Sequence, residues 1–65
     1  MRYSPDKIKA RRTEIDLTQS EVSARSKLTI STISGIENGH KYYVRKSTMA
    51  ALAKALKTKV AELVK

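Results

Sequence analysis

The sequence predicts an all-α fold of five short helices, on three observations. Apolar residues recur at helical spacing in successive segments, capping and stop signals separate those segments, and 65 residues make a single domain (1–65) with no room for a second, catalytic unit. A chain this short buries only about 60% of its unfolded surface on folding, so its stability is expected to be marginal.

Ser4-Pro5 opens the first helix, with Ser as N-cap and Pro where its missing N–H costs nothing. Ile8, Arg12 and Ile15 then share a face at i, i+4 and i+7, which carries that helix to about Ile15. Thr18 and Glu21 have the form of a capping box and start a second helix over about 19–26. Its Val22 and Ser23 face inward, and Gln19, Ser20 and Arg25 face solvent. The pattern breaks at Ser26-Lys27, Thr29 caps a third helix over 30–38, and Asn38-Gly39 ends it. These two helices, joined by a turn of about four residues, form the centre of the chain. The segment HKYYVRKS is the least helical stretch. Ser47 or Thr48 then starts a fourth helix with Met49, Leu52, Ala53 and Leu56 as its core stripe and Lys54 and Lys57 outward. Lys57-Thr58-Lys59 interrupts the pattern before Val60, Leu63 and Val64 make a last short helix.

The third helix carries the most informative face. On a wheel of about 100° per residue, Ile33 and Ile36 point inward, flanked by Thr29 and Glu37. Ser31, Ser34, Gly35 and Asn38 lie opposite, with Ile30 at the border. A plainly solvated face is the alternative, but such faces usually carry Lys and Glu. This one carries neither, and short, uncharged, hydrogen-bonding side chains allow close approach to base-pair edges.

Charge names the class of partner. With 14 Lys and Arg against 6 Asp and Glu, the formal charge is +8, which points to a polyanion. Double-stranded DNA is the leading candidate. A membrane surface is disfavoured because the basic residues do not flank one strong apolar face. The loop after the third helix interleaves His40, Lys41, Arg45 and Lys46 with Tyr42 and Tyr43, and no acidic residue occurs between Asn38 and Glu62. Lys41, Tyr42, Arg45 and Lys46 fit phosphate contacts, while one of the two tyrosines is expected to pack under the loop. Gln19 and Thr29 sit at helix N-termini, where phosphate oxygens are favoured; a merely solvated Gln19 is the alternative. Arg12 lies among apolar neighbours, so it either pairs with Glu37, the one carboxylate on the core side of the third helix, or snorkels to solvent. There is no cysteine, the lone His40 has no ligand-spaced partner, and no nucleophile has a base at meaningful spacing, so neither metal, cofactor nor enzyme activity is expected. The segment MRYSPDKIK has no apolar leader core and no apolar run approaches the roughly 20 residues of a membrane span, so a cytoplasmic protein is expected.

Thr18-Gln19, Ile33-Ser34 and Glu37-Asn38-Gly39 together resemble the helix-turn-helix of the phage Cro/CI repressor (XRE) family, and the likeness extends over residues 12–63. Two residues depart from that pattern. Lys27 stands where the family usually has glycine, and Asp16 where another glycine often ends the first helix. Lys27 at positive φ would cost on the order of 1 kcal/mol, whereas Asp tolerates that region better. The resemblance implies a lambda-repressor-like fold and a bacterial or phage-encoded transcriptional regulator, most simply a repressor. It also implies an Arg12–Glu37 interhelical pair and Gln19 as a phosphate anchor. With the third helix in the major groove, its outer face puts Ile30, Ser31 and Gly35 nearest the bases and Ser34 and Asn38 at the groove edge. A homodimer on palindromic half-sites about 34 Å apart follows, with Val60, Leu63 and Val64 as its contact if they are not all packed inward. The alternative function is a protein-binding module on the same fold, antitoxin-like or coactivator, acting through the 40–46 loop or the C-terminal helix.

Overall fold

Four α-helices and a terminal 3-10 turn follow one another along the chain: α1 (Pro5–Glu14), α2 (Gln19–Ser26), α3 (Ile30–Glu37), α4 (Lys46–Ala55) and the turn Val60–Glu62. This is a computed structural model, which describes residues 2–41 and 43–65, and no strand occurs among them.

Local chemistry explains most boundaries. Ser4 caps α1 by accepting from the Lys7 amide, with Pro5 in the first turn. Thr18 and Glu21 form a reciprocal capping box on α2: the Thr18 hydroxyl accepts from the Glu21 amide at 3.1 Å, and the Thr18 amide donates to Glu21 Oε1 at 2.9 Å. Those bonds hold the Glu21 carboxyl below its ordinary pKa. Thr29 caps α3 by accepting from the Thr32 amide.

Left-handed residues end the helices. Asp16 (φ 61°), Gly39 (φ 71°) and Lys57 (φ 53°) each follow a helix whose last carbonyls are met by paired turn bonds, such as Leu17 N to Arg12 O and His40 N to Gly35 O. Lys27 (φ 63°) ends α2 in the same conformation, its amide donating to Ser23 O at 2.9 Å. Hydroxyl bonds tie the end of α2 to the turn that follows this lysine. Ser23 Oγ donates to the Leu28 carbonyl, while Ser26 Oγ donates to Val22 O and accepts from the Leu28 amide.

The core draws on all four α-helices and on the segments beside them. Ile8, Val22, Ile33, Ile36, Met49, Leu52, Leu56 and Leu63 are fully buried, joined by Tyr3, Leu17, Val44, Ala53 and Ala55.

Three expectations need correction. The fifth helix is a single 3-10 turn, Val60–Glu62, set off from α4 by the chain reversal at Lys57 (φ 53°). α4 starts at Lys46, ahead of Ser47 and Thr48, with Arg45 as a cap that makes no side-chain bond; the buried Val44 and Met49 on either side set that start more firmly than a hydroxyl does. Leu63 is fully buried, fixed where its carbonyl accepts from Ser4 N at 2.8 Å, so its side chain offers nothing to a second copy. Val60 and Val64 are half-buried against the same core.

Candidate nucleic-acid interface

The outer face of α3 is built by what its inner face buries. Ile33, Ile36 and Glu37 are buried, which turns Ser31 and Asn38 into solvent, leaves Ser34 and Gly35 half-exposed, and leaves Ile30 49% exposed. Asn38 Nδ2 donates to Ser34 Oγ at 3.3 Å, so these two side chains lie together on that face. α3 has no acidic residue in its first turn and no basic residue in its last.

Below this face, Glu37 joins three helices. Arg12 of α1 donates through Nε to Glu37 Oε2 at 2.6 Å and through Nη2 to Oε1 at 3.0 Å, while its Nη1 reaches the Leu17 carbonyl at 2.8 Å. Gln19, the first residue of α2, donates Nε2 to Glu37 Oε1 at 3.2 Å. The Glu37 side chain is 2% exposed and that of Arg12 16%. Glu37's hydrogen bond raises the Arg12 pKa above its already high ordinary value, against the opposing effect of burial. Both are charged and mutually satisfied, the condition under which a buried pair is tolerated. Gln19 is therefore aimed by this pair. One of its amide hydrogens is engaged by Glu37, and its backbone opens the positive end of α2.

Two shallow depressions flank α3. One is lined by Thr18, Gln19, Ser20 and Ile30 together with Arg12, Thr13, Asp16 and Leu17. The other is lined by Thr32, Ile36, Lys41, Tyr43, Val44, Arg45 and Thr48. Gln19 thus stands on one flank of the helix, and Lys41 and Arg45 on the other. Lys46 is exposed in the first turn of α4. The Thr29 hydroxyl is engaged inside its cap, donating to Thr32 Oγ1 at 2.9 Å.

Sequence reasoning missed the residue that holds the loop. Tyr3 is 4% exposed, and its hydroxyl donates to the Lys41 carbonyl at 2.6 Å and accepts from the Lys41 amide at 3.3 Å. Among the described residues, the tyrosine packed beneath the loop is Tyr3, from the N-terminal segment; Tyr43 is 63% exposed, and the expectation for Tyr42 lies outside the described residues. Arg11 was also missed: its guanidinium donates to the Leu56 and Lys57 carbonyls at 2.9 Å each, satisfying the C-terminal end of α4.

A helix-turn-helix family model matches residues 8–63, which is nearly the whole chain. The chain belongs to the helix-turn-helix family, in its Cro/CI (XRE) branch. No curated protein and no solved structure matches it. In this helix-turn-helix domain, α2 and α3 are the eponymous pair, and the family is one of DNA-binding regulators. No described helix is long and apolar enough to cross a membrane. Among the described residues no group of His, Cys, Asp or Glu is arranged to hold a metal ion.

Proposed function

We propose that this helix-turn-helix domain is a sequence-specific regulator of transcription that binds duplex DNA as a homodimer and represses by occupying its operator in the cytoplasm of a bacterium or a phage-infected cell. α3 enters the major groove with Ser31 and Gly35 nearest the bases, Ile30 against a thymine methyl, and Ser34 and Asn38 at the groove edge. Gln19 and Thr29 at the helix N-termini, and Arg45 and Lys46 beyond the loop, contact phosphates and set the register. The observation that carries this reading is the face of α3: exposed, short-armed and uncharged on a chain of formal charge +8.

Titration of duplexes selected from a random pool tests it. The selected duplex is expected to bind about a thousandfold or more tighter than random duplex at physiological salt, and affinity for both should fall steeply as salt rises. Equal affinity for selected and random duplex would overturn the reading. The exposed Tyr43 gives the protein-binding alternative its one support, through the 40–46 loop. A module of that kind should show no preferred duplex and should lose its partner on Tyr43→Ala. A C-terminal route has little left to offer, since Leu63 is buried.

A further inference from the structure

We propose that Lys41, instead of meeting phosphate, reads the edge of a guanine from beside α3, and that Tyr3 is the residue that positions it. The inference rests on the groove-binding reading of α3 and adds a base contact supplied from outside that helix.

The face of α3 has one position with no side chain. A Cβ built on Gly35 would have Lys41 Cε at 3.6 Å, an ordinary van der Waals contact, so the aliphatic stem of Lys41 already occupies the space above Gly35. The ammonium is one bond beyond that carbon, within reach of the Gly35 position on the outer face of α3. Chain reversal at Gly39 (φ 71°) brings the loop back over the helix, where the His40 amide donates to the Gly35 carbonyl at 2.9 Å. Side chains longer than alanine at position 35 would displace the lysine.

The backbone of Lys41 is fixed as well. One buried hydroxyl, from a residue 38 positions earlier in the chain, bonds both its carbonyl and its amide. A lysine meant only to neutralise phosphate needs no such anchoring, because its long stem finds an oxygen from many backbone positions. A base contact does need it, since discrimination depends on where the donor stands. Guanine is the base that fits, with O6 and N7 acceptors side by side in the major groove and lysine a common donor to them. α3's own face offers only hydroxyl and amide groups, so the strong donor has to come from the loop.

Site selection from a random duplex pool, run in parallel on wild type, Lys41→Met, Lys41→Arg and Tyr3→Phe, tests both halves. The wild-type motif should contain one position at which guanine is preferred about tenfold, falling to about twofold or less in Lys41→Met with the other positions unchanged. Lys41→Arg should retain the preference, because arginine donates to the same two acceptors. Folded Tyr3→Phe should lose it while keeping the wild-type dependence on salt; the Lys41 variants leave Tyr3 and the core untouched, so their result does not depend on how that variant folds. An unchanged motif in Lys41→Met, with all duplexes weakened alike, overturns the proposal and returns Lys41 to the phosphates. An unchanged guanine preference in folded Tyr3→Phe removes Tyr3 from the role, and a wild-type pool with no motif overturns the groove-binding reading and this inference together.

Discussion

Glu37→Ala should lower the stability of the domain by about 3 to 5 kcal/mol, the usual consequence of removing one partner of a buried pair. The cause is the group left behind: Arg12, whose side chain is 16% exposed in the intact domain, would be left with only the Leu17 carbonyl as its hydrogen-bond partner, and Gln19 would lose its acceptor. Sixty-five residues at about 0.05 to 0.15 kcal/mol each give a total on the order of 3 to 10 kcal/mol, so one substitution removes much of it. Each kcal/mol moves the midpoint of a domain this size by about 4 to 8 °C, so thermal melting should show a drop of at least about 12 °C. Arg12→Leu combined with Glu37→Leu should recover most of that loss, because it removes both charges together. A midpoint unchanged in Glu37→Ala would mean that this pair does not hold α1, α2 and α3 together.

Gly35→Glu should abolish specific DNA binding, by about a hundredfold or more, in a domain that is at least as stable as wild type. Replacing a helical glycine gains on the order of 0.5 to 1 kcal/mol, and the space above Gly35 holds only the flexible end of Lys41. The new side chain would displace the Lys41 stem and set a carboxylate on the otherwise uncharged face of α3, against base-edge acceptors and between two rows of phosphate, where like charge costs several kcal/mol. Gly35→Ala serves as the control, with the stability gain and only a small change in affinity. Duplex binding by Gly35→Glu at wild-type strength would place the interface elsewhere on the molecule.

The parts of this domain that were legible in its sequence are those decided within one helical turn. Thr18 with Glu21, Thr29, and Asn38 with Gly39 each act on backbone groups three or four residues away, so α2 and α3 lie where those residues put them. Arg12 and Glu37 were legible for a related reason: each is a charge on a core-facing stripe of its own helix, and one explains the other. Tyr3 was not legible, because its role depends on a loop 38 residues away and nothing beside it in the sequence marks that partner. Arg11 escaped in the same way, since its partners are the last carbonyls of α4. The start of α4 misled because Ser47 and Thr48 look like caps, yet burial of Val44 and Met49 set the boundary. Leu63 misled because apolar residues near a chain end read as surplus until the core they fill is seen.

Backbone amide shifts of labelled protein, followed as a selected duplex is added, test most directly whether the uncharged side of α3 faces base pairs. The largest changes should fall on residues 30–38, the first turn of α2 and Lys41, with residues of α1 such as Asp6, Lys9 and Ala10 hardly moved. Changes centred on α1 or on the Val60–Glu62 turn, with residues 30–38 unmoved, would contradict it.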